Sequence, residues 1–160
     1  MNNRQCRTCS ACCVVLGVDE LGKRAGDDCR HRCSGPKPCK VYDTRPSSCA
    51  EFTCMWLEGH FTNKDRPDLI DVVFTALNAY PDVGPVLEAR ERVAGAARRG
   101  RAAGIVQRVS QGIPVLIIPP GGIKAGPGTT NVDVVCTNPD LASRARWVLR
   151  NLVQPTSEKP

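Results

Sequence analysis

Cys6-Arg7-Thr8-Cys9-Ser10-Ala11-Cys12-Cys13 sets four cysteines within eight residues, and its reading divides the chain in two. A CxxC pair can place two sulfurs around one tetrahedral ion, the geometry zinc prefers. Here two such pairs overlap and a fourth cysteine follows directly. If the stretch is helical, Cys9, Cys12 and Cys13 share one face at i, i+3 and i+4. Adjacent residues diverge in direction, so the Cys12-Cys13 doublet suits two centres, or one polynuclear centre, better than a single ion.

Working outward, Cys29, Cys33, Cys39, Cys49 and Cys54 follow, and only Cys136 stands apart in a chain of 160 residues. Such crowding does not fit cysteines used merely as small buried hydrophobes. Cys29-Arg30-His31-Arg32-Cys33 adds a histidine. These donors exceed the four ligands of one zinc and are enough for two four-thiolate sites with one thiol spare. No apolar leader precedes Cys6, and no apolar run reaches membrane-spanning length. The expected compartment is therefore the cytosol, where thiols stay reduced and dense cysteines favour metal over disulfides. The formal charge is +6. Eight thiolates holding two divalent ions would bring it to about +2. Arg4, Arg7, Arg30, Arg32, Lys37, Lys40 and Arg45 sit among the cysteines and can screen them.

The stretch from Cys39 to Trp56 carries more than cysteines. Arg45 can donate to thiolates or carbonyls as support for the ligands. Pro46 stiffens the approach to Cys49. Tyr42, Phe52 and Trp56 can form a small apolar cover. CxxCxxCC, then Cys29, then Cys39, Tyr42, Arg45-Pro46, Cys49, Phe52 and Cys54 resembles the bacterial CxxCxxCC cysteine-cluster family, also called YkgJ-like. The resemblance spans Cys6 to Trp56, about a third of the chain. It implies a zinc- or iron-chelating module with Cys6, Cys9, Cys12, Cys13, Cys29, Cys39, Cys49 and Cys54 as metal ligands. Cys33 is an extra to that pattern. The resemblance names a site and not a reaction. A related cluster in bacterial flagellin lysine methylases implies an iron–sulfur centre, which keeps iron in play.

The chain changes character near Gly59 to Pro67, giving expected units of 1–60, the cysteine-cluster module, and 61–160, the body. In the body, Leu69 to Leu77 and Val86 to Arg90 read as strands. Ala96 to Gln111 reads as a helix, weakened by Gly100 and Gly104. Ile113 to Ile118 reads as a strand whose start, at Pro114, lies at a sheet edge. Val132 to Cys136 reads as a strand holding Cys136 as a small buried residue. Asn138 caps a last helix with Pro139 at its first position, and Leu141, Ala145, Val148, Leu149 and Leu152 share its inner face. Gln154 to Pro160 reads as a frayed tail. The expected class is α+β: an irregular, metal-stapled, cysteine-rich module on a small mixed sheet with two helices.

Other signals are weak. Arg90, Arg92, Arg98, Arg99, Arg101 and Arg108 alternate with Glu88 and Glu91 and lack nearby aromatics, so a solvated face is expected rather than a nucleic-acid surface. Gly121-Gly122 and Gly126-Pro127-Gly128 lack the Gly-Lys-Ser/Thr ending of a phosphate loop. His31 is expected to be a solvated neighbour of the cluster and His60 a linker residue, neither of them a ligand. With two histidines and no Ser/His/Asp arrangement, catalysis would need an open position on the metal itself. Zinc is the first expectation because thiolate-only ligation suits it. An iron–sulfur protein or enzyme is the alternative. A nucleic-acid or protein interaction module shaped by structural zinc is the second alternative.

Overall fold

Val115-Leu116-Ile117-Ile118 is apolar at every position, as a strand must be when both of its faces are covered. The computed structural model describes residues 4–6, 9–35, 39–80, 82–126 and 129–151. In chain order the elements are α1 (Cys12–Val15), α2 (Ser47–Glu51), α3 (Pro67–Ile70), β1 (Val72–Tyr80), β2 (Gly84–Glu91), α4 (Gly100–Val109), β3 (Val115–Ile118), β4 (Ala125–Gly126), β5 (Thr129–Thr130), β6 (Asp133–Val135) and α5 (Pro139–Asn151). The body is α+β, with a small mixed sheet ordered β1-β2-β3-β6. β1 and β2 form an antiparallel hairpin, β3 lies parallel to β2 after the α4 crossover, and β6 returns antiparallel to β3. β4 and β5 make a separate two-residue ribbon that the sequence does not announce.

The alternation of side chains across the strands separates two cores. Val72, Phe74, Leu87, Ala89, Val115 and Ile117 face Ala102, Ile105 and Val106 of α4. Val86, Leu116, Ile118 and Val134 face Ala142, Ala145 and Leu149 of α5. Each long helix thus covers one face of the sheet.

Several local expectations change. α3 occupies Pro67–Ile70, so the strand starts at Val72 and not at Leu69. Pro67 favours a helical first turn, and Asp71, at φ 57°, ends it in the left-handed region that Asp tolerates. The expected helix from Ala96 breaks. A short 3-10 turn over Ala96–Arg98 gives way to an extended Arg99 before α4 begins. The Glu91 carboxylate accepts the N–H groups of Gly95 and Ala97, which shapes that turn separately from the helix. Pro114 is not at an edge: it is fully buried, and its carbonyl accepts the Leu87 N–H as β3 enters the middle of the sheet. Cys136 falls just beyond β6, partly buried against the α5 core. Asn138 does cap α5, its Oδ1 accepting the N–H groups of Asp140 and Leu141 at 3.0 and 3.2 Å. Leu152, the tail from Gln154, and Pro127-Gly128 lie outside the described residues.

Four arginines of the run are paired with carboxylates. Arg90 pairs with Glu88, Arg92 with Asp71, Arg98 with Asp133 and Arg101 with Asp65. Asp65 is the most connected of these acids. Its Oδ2 accepts the backbone N–H and the hydroxyl of Thr62 at 2.9 and 2.6 Å, and its Oδ1 accepts Arg101 Nε at 2.6 Å. Burial pushes its carboxyl up, but the hydrogen bonds from Arg101 and Thr62 outweigh that and hold it at about 2. A depressed acid stabilises the fold above its unfolded value, near 3.8, and that contribution is lost as pH falls toward 2. Asp65→Asn is expected to cost about 1–3 kcal/mol at neutral pH. Urea midpoints of the two proteins should converge between about pH 4 and pH 2; a gap that persists at pH 2 would contradict the assignment.

Candidate metal centre

The cysteine segments are held by short backbone links. Ala11 is fully buried and caps α1, whose first two residues are Cys12 and Cys13. Cys9 therefore precedes the helix, and the expected shared helical face of Cys9, Cys12 and Cys13 does not form. Cys29 donates its N–H to the Cys13 carbonyl at 3.0 Å, and Gly26 donates to the Val14 carbonyl at 2.9 Å, so this segment runs beside α1. Arg32 and Cys39 form an isolated β-bridge. Cys49 lies in α2, whose N-terminus is fixed by Glu20: Ser47 Oγ, Ser48 N and Ser48 Oγ all donate to its carboxylate. Its own backbone N–H, then the Ser48 N–H and hydroxyl, hold the Glu20 carboxyl at about 2.

Cys9, Ala11, Val15, Cys54 and Trp56 form a small core that closes on Val73 of β1. Trp56 Nε1 donates to the Thr62 carbonyl, and the Arg4 guanidinium lies 5.2 Å from the Trp56 ring centroid. Met55 donates to the Phe74 carbonyl, and Phe61 meets Phe74 edge-on at 5.5 Å. On another side, the module meets the turn after β3. A Cβ on Gly26 would lie 2.5 Å from the Gly121 nitrogen, so only glycine permits that approach.

All eight cysteines expected as ligands line one cavity of about 260 Å³. They reach it from α1, α2 and the loops between. Leu16, Val18, Phe52, Leu57, Pro67 and Val73 supply much of the remaining wall, and His31, Tyr42, Arg45 and Lys23 complete it. Trp56 supports this wall from behind, in the small core. Arg45 lies 4.2 Å over the Tyr42 ring, which keeps its charge at the rim. Cys33 opens instead on a neighbouring polar cavity with Ser10, Asp28, Arg32 and Ser34, and Cys29 lines both. His60 does not line this cavity and lies 3.7 Å from Glu58. Arg7 and Lys37 lie outside the described residues.

The thiols fall in unlike environments. Burial pushes Cys9 up to about 12, although the backbone N–H groups of Ala11 and Asp68 oppose it. Burial also raises Cys54, against N–H groups of Leu57 and Trp56 that favour its thiolate. Cys12 and Cys13 are hydrogen-bonded to each other. That bond raises Cys12 and lowers Cys13 to about 7; burial opposes the lowering, and Lys23 and Arg32 assist it. All ten cysteines are thiols rather than disulfides. Among the described residues, no three His, Cys, Asp or Glu side chains stand close enough to hold one metal ion together. The donor set still suits a thiophilic ion by the number and softness of its sulfurs, although Cys13 is lowered while Cys6, Cys9, Cys12, Cys49 and Cys54 are raised.

Lys23, Glu20 and Arg32 are the supporting residues that sequence reasoning missed or undervalued. Gly22, in the left-handed region at φ 60°, marks the turn that brings Lys23 back beside α1. That glycine was the available signal for Lys23. The Glu20 contact spans 27 and 28 residues and has no local signature. Among the described residues no helix is long and apolar enough to cross a membrane. No family model, no curated protein and no solved structure matches the chain.

Proposed function

We propose that this chain is a metal-binding protein whose N-terminal module holds zinc through a thiolate cluster, as two centres or one multinuclear centre. The observation that carries the reading is the convergence of Cys6, Cys9, Cys12, Cys13, Cys29, Cys39, Cys49 and Cys54 on a single cavity. The likeness of the same residues to the CxxCxxCC family supports it, and a reducing, cytosolic setting would keep the thiols available. A bound ion would add folding free energy to a segment whose own apolar core is small. The protein's own groups would orient and screen the sulfurs: N–H groups at Cys9 and Cys54, and Lys23, Arg32 and Arg45 around Cys6, Cys12, Cys13 and Cys29. An iron–sulfur cluster is the second reading: a cavity of about 260 Å³ lined by eight thiols has room for a polynuclear centre of either metal. Nucleic-acid recognition is disfavoured because Arg90, Arg92, Arg98 and Arg101 are paired with carboxylates.

Elemental analysis and an absorption spectrum of anaerobically purified protein test both readings. Zinc at one or more ions per chain with no visible absorption is the expected result. Stoichiometric iron and sulfide with a brown colour would replace zinc by the cluster. A colourless protein free of metal would overturn both.

A further inference from the structure

Among the described residues, Lys23 is the only lysine or arginine that is buried, at 9% exposure. Of the other buried charges, two face an opposite charge and the third, Glu91, is held like Lys23 by neutral groups. Glu88 has Arg90, Asp65 has Arg101, and Glu91 has two N–H donors. Lys23 Nζ donates to three neutral carbonyls: Val14 at 3.3 Å, Arg24 at 3.2 Å, and Leu16. These satisfy its donors but leave its charge uncancelled, and an uncompensated buried ammonium is costly. Burial lowers its pKa, while the groups that push it back up are Cys29, Asp27, Cys13 and Cys12. Lys23 also lines the thiol cavity itself.

We propose that Lys23 is the built-in counter-charge of the thiolate centre, a positioning residue that holds a fixed positive charge against the Cys12, Cys13 and Cys29 side of the cavity. The inference rests on the metal reading above. Eight thiolates around two divalent ions carry a net charge of about −4, which an apolar cavity cannot host alone. A buried cation anchored by carbonyls on α1 and its return strand offsets part of that charge without competing for the sulfurs. In the metal-free protein the same cation faces Asp27 and the lowered Cys13 thiol, a smaller negative charge than a filled centre carries.

The two roles, counter-charge and simple structural clamp, differ in whether the effect of losing Lys23 depends on bound metal. The full chain is compared with Lys23→Met and Lys23→Arg, using cobalt(II), whose thiolate complexes absorb in the visible, in competition with a chelator. Lys23→Met is expected to weaken cobalt binding by about 10- to 100-fold, as loss of a supporting residue commonly does. Lys23→Arg should recover most of the affinity. Without metal, Lys23→Met should lower the urea midpoint by less than it does with metal bound, because loss of the three carbonyl contacts is common to both states and loss of the counter-charge is not. Equal cobalt affinity in Lys23→Met and the parent, or equal destabilisation with and without metal, would overturn the counter-charge role and leave the centre standing. A parent chain that takes up no cobalt would overturn both.

Discussion

Cys9→Ser is expected to remove at least half of the bound metal and to open the N-terminal module, whereas Cys33→Ser should leave metal content unchanged. Cys9 is 8% exposed, and it sits in the same small core as Cys54, Trp56 and Val73. Serine there gives up a soft ligand and buries a hydroxyl among apolar atoms, so two penalties add. Structural zinc sites contribute on the order of 10–16 kcal/mol of apparent binding free energy, which makes a lost ligand far more consequential than a lost packing contact. Cys33 faces the adjacent polar cavity and not the thiol cavity. Metal per chain by elemental analysis, with amide exchange over residues 9–57, reads both effects. The ligand assignment fails if Cys9→Ser keeps its full metal and protection, or if Cys33→Ser loses metal to the same extent.

Leu116→Ala is expected to destabilise the body by about 3–4 kcal/mol, with a fall in Tm of roughly 10 °C for a chain of this size. Leu116 is 1% exposed in β3, which is paired on both edges, and it packs against the α5 core. Truncation leaves a cavity between a central strand and a helix, where relaxation from either side is blocked by the neighbouring strands. Trp147→Ala, also in the body but 63% exposed on α5, should change stability by no more than about 0.5 kcal/mol. Metal content of folded Leu116→Ala should match the parent, because the cysteine core closes on Val73 in β1, two strands away. Thermal melts with metal analysis check this; a small Tm change at Leu116 would contradict the central placement of β3.

Much of the body was legible because its signals are local. The Asn138-Pro139-Asp140 start of α5 depends on adjacent backbone geometry, and the apolar run 115–118 reports burial on both faces. The misread stretches are those in which local preference met a longer-range partner. Ala96 to Gln111 looked like one helix, but the Glu91 carboxylate organises its first turn separately. Pro114 suggested an edge, yet a proline that precedes a strand removes no ladder bond, so the following residues can take a central place.

The cysteine cluster divides in the same way. Spacing alone, without tertiary information, marks Cys6 to Cys54 as a thiol-rich segment, because the local density of one reactive residue type survives any fold. Only the tertiary structure decided that Cys33 and His60 stand outside the cavity, that Cys9 lies before the helix, and that Lys23 is buried beside the sulfurs. Those outcomes depend on which carbonyls, apolar atoms and neighbouring loops surround each group. Burial and electrostatics are properties of that surrounding space rather than of sequence separation.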